Sequence, residues 1–277
     1  MDLQFSVDQE LCIGCGECIN DCPYGLIEMR DGIPVLSREN EARCLQCQHC
    51  FAVCSTGALS ILGKKAADSP PLGPLPTAEQ LAGLMKVRRS VRRYSKTPVS
   101  KEEIAFLLET VAYAPTAVNN RQVLCTVIED PAVMDDLRRT TYARLQTLID
   151  TGKFPKGMQY LEDVVVEALQ SGKDAIFRGA PHLLVASAPK DSPSPDADCF
   201  IALSYFELLA ASMGLGALWC GLAKWALAVV LPEVMAKLGL PADHRVGYMM
   251  VFGRPAVQYH RTVQRENAHI NRVAQLQ

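Results

Sequence analysis

The feature that most constrains this chain is a repeated spacing of cysteines near its N-terminus. Two runs of four cysteines lie 32 positions apart and use eight of the eleven cysteines of the chain: Cys12, Cys15, Cys18 and Cys22, then Cys44, Cys47, Cys50 and Cys54. The two copies cover residues 1–62, and each is too small to bury a hydrophobic core alone. Something other than apolar burial must therefore hold this segment together.

The spacing also indicates which ligand the cysteines bind. The first residues contain no basic region followed by an apolar run, so no secretory signal is predicted and a cytoplasmic protein is expected. In a reducing compartment, closely spaced cysteines are typical of metal sites rather than disulfides. Zinc sites pair two Cys-x2-Cys units across a longer gap, whereas Cys-x2-Cys-x2-Cys-x3-Cys-Pro binds [4Fe–4S] clusters. The run from Cys12 to Pro23 matches the cluster pattern in full.

Residues 1–62 thus resemble a two-cluster bacterial ferredoxin. In that family the fourth cysteine of each run ligates the other cluster. The resemblance implies two interleaved ligand sets: Cys12, Cys15, Cys18 and Cys54 for one cluster, and Cys44, Cys47, Cys50 and Cys22 for the other. The second run departs from the pattern, because Ser55 stands where a proline is usual. Two clusters in series imply electron transfer to an acceptor site elsewhere in the chain.

The rest of the chain predicts a second, larger domain. Residues 63–76 contain four prolines and two glycines and predict a semi-extended linker. Capping-box pairs at Thr77 with Gln80 and at Ser100 with Glu103 predict helix starts. We expect an α+β domain over residues 77–277 with a polar C-terminal arm at 254–277. Its predicted strands lie at 123–128, 182–187 and 246–252, and further predicted helices lie at 131–150, 158–170, 198–213 and 222–238.

Composition excludes several classes of function. The chain is 49% hydrophobic and 21% charged with a net charge of −2, so it is neither disordered nor basic enough to attract nucleic acid or an anionic membrane. The arginines at 88–93 lack the aromatic series of a nucleic-acid site. The apolar stretch 199–223 could span a bilayer, but Glu207 and the Gly214-Leu215-Gly216 interruption favour a buried helix, a turn and a core strand. We expect no membrane and no nucleic-acid partner.

Two polar motifs in the larger domain indicate a cofactor that carries a phosphate and a polar ring. Arginine guanidiniums bind phosphate oxygens, although a basic cluster at a helix end also complements the helix dipole; the cluster is Arg88, Arg89, Ser90 and Arg92. The loop 114–122 contains amides and hydroxyls that can bond the edge of a heterocycle, although an ordinary polar turn has the same composition.

The order of these motifs resembles the FMN-dependent nitroreductase family. After the first two come the segment Gly214–Gly221 and then Gly253-Arg254-Pro255, with Arg261 beyond it. A ferredoxin module ahead of such a domain is typical of one subgroup of the family. The resemblance implies a nitroreductase-like domain with a mixed β-sheet flanked by helices, and a homodimer with FMN at the subunit interface.

The resemblance also implies a role for each motif. The phosphate and ribityl chain would be held by Arg88, Arg89, Ser90 and Arg92, with Arg261 closing on the phosphate. The isoalloxazine ring would be lined by Pro115, Thr116 and Ala117, and its polar edge would meet Gln122 and either Asn119 or Asn120, because this loop is one residue longer than the family's usual spacing. The backbone beside the ring would come from Leu218, Trp219, Cys220 and Gly221.

The implied function is that of an FMN-dependent oxidoreductase. It would take electrons through two [4Fe–4S] clusters, fed by a protein donor, or from NAD(P)H, and reduce an organic acceptor such as a nitroaromatic, quinone, enone or halogenated aromatic. No Gly-x-Gly-x-x-Gly follows a strand, so NAD(P)H would be a transient donor at the acceptor's own site. Chemistry at flavin N5 needs no catalytic acid–base residue. The weak candidates for a substrate lid are Phe154, Met158 and Tyr160.

Two alternatives stay open. The first is a non-catalytic flavin and iron–sulfur electron carrier or redox sensor. The second concerns Cys220, whose place in the flavin wall allows a redox-active thiol. Cys125 and Cys199 lie in apolar runs, which predicts that both are small core residues.

Overall fold

A computed structural model of the protein describes residues 3–266 and 268–275 and divides the chain into two compact units. The first unit contains Met1–Leu75 and the short segment Ala117–Asn120, and the second contains Pro76–Thr116 and Arg121–Gln277. The structure therefore divides the chain at the end of the proline-rich segment, and it adds four residues of the amide-rich loop to the first unit. The linker and domain bounds drawn from the sequence stay predictions.

The cysteine repeat of the first unit is also a structural repeat. Helix α1 (Glu17–Asn20) and helix α3 (His49–Ala52) lie 32 positions apart at both ends. Between them lie the antiparallel strands β2 (Ile27–Arg30) and β3 (Ile33–Leu36), and helix α2 (Arg38–Glu41). The Asp31-Gly32 turn of the hairpin has positive φ at both residues, as a two-residue hairpin turn requires.

A second strand pair closes the first unit. Strand β1 (Ser6–Val7) pairs antiparallel with strand β4 (Leu59–Ser60), which brings the two ends of the module together. The cluster of buried apolar residues is small, and two of its six members are cysteines: Leu3, Cys18, Ile27, Cys50, Leu59 and Ile61. Because the core contains so little apolar surface, the cysteines must contribute to the fold through what they bind.

The second unit begins with two helices that the sequence predicted correctly. Helix α4 (Ala78–Val87) and helix α5 (Lys101–Val111) are both closed by complete capping boxes, in which the N-cap hydroxyl and the N3 side chain exchange hydrogen bonds with the backbone. The caps are Thr77 with Gln80 and Ser100 with Glu103. These local hydrogen bonds define the helix starts without help from tertiary contacts.

A four-stranded antiparallel sheet forms the centre of the second unit. Its strand order is β5-β6-β8-β7, and all three strands predicted from the sequence are confirmed within two residues at each end. The strands are β5 (Leu124–Ile128), β6 (His182–Pro189), β7 (Gly216–Trp219) and β8 (His244–Gly253). A parallel bridge between Ser90 and Ala217 lies beyond the antiparallel ladder and makes the pairing mixed.

The two faces of the sheet are buried against different helices. Alternate residues of β6 and β8, such as Val185 and Met249, face a core built with helices α6 (Pro131–Asp150) and α7 (Gln159–Ser171). The residues between them, such as Ala186 and Met250, face a core built with α5 and helix α8 (Pro195–Ser212). Burial on both faces explains why these strands are apolar throughout rather than alternating.

The sequence stretch 199–223 folds as expected, into a buried helix, a turn with Gly214 at φ +73°, and strand β7. Within the described residues, the structure contains no helix that combines the length and the apolar character needed to cross a membrane.

One helix prediction was wrong in its continuity. The stretch 222–238 is divided into a short α-helix, a π-helical segment, a second short α-helix and a 3-10 turn: Gly221–Lys224 (α9), Trp225–Val230, Pro232–Met235 (α10) and Ala236–Leu238. Pro232 has no backbone N–H to continue the preceding helix, so a new helix begins at this residue. Residues 254–266 and 268–275 are mostly exposed and lack regular structure, while residues 267, 276 and 277 of the predicted arm lie outside the described residues.

Candidate functional site

The eight N-terminal cysteines line two separate cavities of the first unit. One cavity is lined by Cys12, Cys15, Cys18 and Cys54. The other is lined by Cys22, Cys44, Cys47 and Cys50. Each set takes three cysteines from one run and the fourth from the other, because α1 and α3 lie side by side in the repeat. This is the interleaving that two-cluster ferredoxins use.

Electrostatics within each cavity follows the same grouping. Burial raises the pKa of the Cys18 thiol, and the charges of Cys54, Cys15 and Cys12 raise it further. Burial likewise raises the pKa of Cys50 to about 12, and the members of its own set add to the effect: Cys47, Cys44 and Cys22. Four thiolates cannot share such a cavity without a compensating cation, which iron supplies.

Each cavity has the four cysteine ligands that a cubane cluster takes. Among the described residues, no three His, Cys, Asp or Glu side chains converge as the ligands of a single metal ion do. In a cubane each thiolate binds a different iron, so the ligands surround a volume instead. Backbone N–H groups also reach the sulfurs of the second set: Leu26 donates to Cys22 Sγ and Gln46 donates to Cys44 Sγ, both at 3.4 Å. The residues present therefore fit [4Fe–4S] clusters.

In the second unit, three of the four predicted flavin motifs lie next to one another. Ser90 forms a bridge with Ala217, and the Val91 N–H donates to the Ala217 carbonyl at 3.0 Å, which places the arginine motif beside β7. Further along, the Ser95 N–H donates to the carbonyl of Arg254 at 2.8 Å, so the Gly-Arg-Pro motif runs beside the same segment. Motifs far apart in sequence thus meet at one edge of the sheet.

The arginines of this motif keep unused donors. Arg89 donates to the carbonyls of Arg88 and Lys86, and Arg92 donates weakly to that of Ser90 at 3.4 Å. The Arg88 guanidinium instead bonds Glu207 at 2.8 Å. Since a guanidinium has five N–H donors, Arg89 and Arg92 can each still bind a phosphate. Arg261 is exposed, in the segment after the last strand.

The predicted flavin wall, residues 218–221, ends β7 and starts the following helix. Leu218 points into the core, and the buried Cys220 thiol donates to the Ile176 carbonyl at 3.0 Å. Burial raises the pKa of Cys220 to about 11, so the reactive thiolate is suppressed at neutral pH. A Cβ at Gly221 would lie 2.9 Å from the Tyr248 hydroxyl, so a larger residue here would require Tyr248 to shift.

The amide-rich loop is divided between the units. Pro115, Thr116, Arg121 and Gln122 belong to the second unit, where the Thr116 hydroxyl accepts the Arg121 N–H at 2.9 Å. Ala117–Asn120 belongs to the first unit, and there the Asn119 amide donates to the Leu45 carbonyl at 2.7 Å.

The lid candidates differ in environment. Phe154 is buried and lies 5.8 Å from the Trp225 ring, and Met158 Sδ accepts the Trp225 indole N–H. Tyr160 is exposed. Of the three, Tyr160 has the freedom that a lid residue needs. Of the two other cysteines, Cys199 is fully buried and Cys125 is half-buried.

Sequence reasoning missed two residues that support the arginine motif. Glu207 accepts a hydrogen bond from Arg88, which lies 119 positions away in sequence. Tyr94 donates its hydroxyl hydrogen to the Val91 carbonyl and so stabilises the backbone just after the arginine motif. A carboxylate inside an apolar run was the one available signal for Glu207, because a charge is rarely buried without a partner.

The first unit thus has two cysteine-lined cavities, and the second has a sheet edge with arginine donors that remain unused. Residues 85–254 match the sequence model of the nitroreductase family, and residues 11–58 match that of the 4Fe-4S dicluster domain. The chain belongs to the nitroreductase family, with a ferredoxin module ahead of the family domain.

Individual relatives agree with this assignment. An NADH dehydrogenase of Thermus thermophilus is 26% identical over 191 residues, which cover 66% of this chain and 89% of the relative. A ferredoxin of Pyrobaculum islandicum is 29% identical over 111 residues, or 40% of this chain and 87% of the ferredoxin. A nitroreductase of Bacteroides fragilis, solved with bound FMN, superposes with a TM-score of 0.55 at 20% identity and covers 70% of this chain and 99% of that one. The dicluster-domain match supports [4Fe–4S] clusters as cofactors of the first unit, and the superposition shows that the second unit has the fold of that FMN-bound nitroreductase.

Proposed function

We propose that this protein is an FMN-dependent reductase that receives electrons through two [4Fe–4S] clusters and reduces an organic acceptor. The observation that carries the proposal is the pair of interleaved cysteine cavities in a chain whose second unit has the nitroreductase fold. When bound, FMN supplies the conversion between single electrons and electron pairs. Nitroaromatics, quinones, enones and halogenated aromatics are the acceptor classes consistent with that chemistry.

The residues that would bind FMN follow from the contacts of the arginine motif. Arg89 and Arg92 would bind the phosphate, with Ser90 and the exposed Arg261, because each of the two guanidiniums keeps N–H donors beyond those used on backbone carbonyls. Arg88 would act chiefly by holding helix α8 through Glu207. The Gly221 backbone would lie beside the ring, since a side chain there would meet Tyr248.

The polar edge of the ring is proposed to meet the amide-rich loop. Pro115, Thr116 and Ala117 would line the ring, and Asn120 and Gln122 would contact its edge. Asn119 is the weaker of the two asparagine candidates, because its amide donates to Leu45.

A homodimer is part of the proposal. Helices α5 and α8 leave aromatic side chains in contact with water: Phe106 is 51% exposed, Phe200 40% and Tyr205 43%, and Tyr113 just beyond α5 is 83% exposed. Apolar surface of this kind marks association sites. Sedimentation of the FMN-loaded protein should give a dimer, and a monomer with full flavin occupancy would contradict this part.

Metal and flavin analysis of anaerobically purified protein tests the cofactor assignment. Two four-cysteine sets predict about eight irons and eight sulfides per chain, together with one FMN. The matched pair Cys47→Ser and Arg89→Ala/Arg92→Ala separates the centres. The first variant should lose about half of the iron and keep FMN, and the second should lose FMN and keep the iron. Four irons or bound zinc in the wild-type protein would overturn the assignment.

Turnover tests catalysis against the carrier or sensor alternative. Protein reduced with dithionite under argon should be reoxidised much faster when a nitroaromatic, a quinone or an enone is added. Reoxidation at the same rate with and without each acceptor would favour a non-catalytic carrier. Parallel reduction with NADH and NADPH, in wild-type protein and in Cys47→Ser, shows whether a nicotinamide can feed the flavin without the complete pair of clusters.

A further inference from the structure

The segment Ala117–Asn120 forms a hydrogen bond with the loop that carries cysteines of the second set. Inside the first unit, Asn119 Nδ2 donates to the Leu45 carbonyl at 2.7 Å. Leu45 lies between Cys44 and Cys47, two members of the second cysteine set. The acceptor is therefore part of the loop that surrounds one cluster cavity.

The same peptide group also bonds a cysteine sulfur. The Leu45 carbonyl and the Gln46 N–H are the two polar ends of one peptide bond, and the Gln46 N–H donates to Cys44 Sγ at 3.4 Å. The result is a continuous chain from the Asn119 amide, through the 45–46 peptide, to a cluster ligand. A donor at the carbonyl end polarises the peptide and strengthens its N–H as a donor.

Hydrogen bonds to ligand sulfurs are one of the means by which a protein sets the potential of an iron–sulfur cluster. An N–H donated to a thiolate stabilises the added negative charge of the reduced state. A stronger donor at Cys44 therefore favours reduction of the cluster in this cavity. The first cavity, lined by Cys12 and its partners, does not include Leu45 or Gln46.

Backbone strain coincides with this contact. Val118 and Asn119 have φ of +48° and +54°, and on the cluster loop Gln46 and Gln48 have φ of +53° and +61°. A β-branched residue such as Val118 rarely adopts this conformation, which costs about 1–3 kcal/mol. Strain on both sides of one hydrogen bond indicates that the bond is maintained against an energetic cost.

We propose that Asn119 is a positioning residue that raises the reduction potential of the cluster bound by Cys22, Cys44, Cys47 and Cys50, acting through the 45–46 peptide. The proposal rests on the cluster half of the proposed function.

A redox titration followed by electron paramagnetic resonance tests this in the full-length protein. Asn119→Ala should lower the midpoint potential of one of the two clusters and leave the other unchanged. Asn120→Ala is the matched control and should leave both unchanged. Equal potentials in wild type and Asn119→Ala, or the same shift in both variants, would overturn the proposal.

A second variant and a second measurement keep the test valid if Asn119→Ala disturbs the fold of the first unit. Asn119→Leu keeps the approximate shape of the side chain and removes the N–H donor without adding a charge, so it should lower the same potential with about eight irons still bound. Hydrogen exchange should show a faster Gln46 amide in both Asn119 variants, and unchanged exchange would count against the relay. Iron and FMN contents of the same samples distinguish failure of the proposed function from failure of the Asn119 proposal. Absent FMN would contradict the proposed function, while the shift in cluster potential could still be measured.

Discussion

The two units of this protein are stabilised by different means. Residues 1–62 contain nine acidic and three basic side chains, a formal charge of −6, whereas the rest of the chain totals +4. The first unit buries a core of six residues, two of them cysteines, while the second buries two cores, one on each face of its sheet. We therefore expect the acidic module to depend on its clusters for folding, and the larger unit to fold by apolar burial.

The largest expected effect is the loss of a cluster ligand. Cys50→Ser replaces a buried core thiol by a hydroxyl that binds iron poorly, so about four of eight irons should be lost and the first unit should become much less stable. Iron analysis and visible absorption measure the loss. Cys125→Ser is the control, because that cysteine lines neither cluster cavity, and it should keep all the iron.

The same variant tests whether the second unit is stable without the complete clusters. Both tryptophans, Trp219 and Trp225, lie in the second unit, so tryptophan fluorescence reports the unfolding of that unit alone. Its thermal midpoint should be the same in Cys50→Ser as in the wild-type protein. A large decrease would mean that the second unit also depends on the clusters.

A packing change in the second unit should lower the stability of that unit and leave the iron content of the first unit unchanged. In Gly247→Ala the added Cβ would lie 2.3 Å from Cys199 Cβ, between strand β8 and helix α8. Such overpacking should cost about 1–3 kcal/mol in the free energy of unfolding of the second unit, measured by urea and tryptophan fluorescence. Iron content should not change.

Gly83→Ala is the matched control for that substitution. Gly83 lies inside helix α4, and a Cβ there meets nothing within 4 Å. Removing the freedom of glycine from a helix interior should stabilise the second unit by about 0.5–1 kcal/mol. Equal effects of the two substitutions would contradict the packing argument.

The second unit should also lose stability in mild acid because of His182. The imidazole ring is fully buried, accepts the Val99 N–H at 3.0 Å and stacks on Phe252. Burial lowers the pKa of His182 below the ordinary 6.5. The Ile128 and Glu129 carbonyls and the Glu129 charge act in the opposite direction but do not cancel this effect. The unfolded chain therefore binds a proton first as pH falls below about 6.5. Stability is fully present above that pH and should fall by up to about 1.4 kcal/mol per pH unit below it.

The pH dependence can be assigned by substitution. His182→Gln keeps an acceptor for Val99 and cannot titrate, so its free energy of unfolding should change less between pH 7.5 and 5.5 than that of the wild-type protein. His260→Gln, at an exposed position, should keep the wild-type slope. The same slope in all three proteins would exclude His182 as the source.

The smallest expected effect is at the Arg88–Glu207 ion pair. Its side chains are 27% and 12% exposed, so Glu207→Gln should cost about 1 kcal/mol. The pair formed by Arg144 and Glu233 is about half exposed, and Glu233→Gln should cost less than about 0.5 kcal/mol. Equal costs would show that burial does not strengthen the first pair.

Much of the fold could be predicted because its signals are local. A capping box spans four residues, and Thr77 and Ser100 each start a helix as expected. The β-rich runs predicted strands correctly because buried strands are apolar on both faces. The stretch 222–238 was less predictable, since its helical pattern did not reveal that the chain passes through π-helical and 3-10 segments before and after Pro232.

The site was predictable to the extent that its chemistry follows spacing along the chain. The cysteine runs and the arginine motif are contiguous, whereas their partners are not: Glu207 lies 119 positions from Arg88, and Asn119 lies 74 positions from Leu45. No local pattern predicts a bond across such a distance.

Side-chain chemistry and short-range geometry can be read from the sequence, so it indicates which atoms can bind iron, where most of the helices and strands lie, and which family the chain resembles. The fold brings each set of four cysteines to one cavity, buries the Cys220 thiol and raises its pKa, and places the Asn119 amide at the Leu45 carbonyl. Those outcomes depend on burial and on contacts between distant segments, which exist only after the chain has folded.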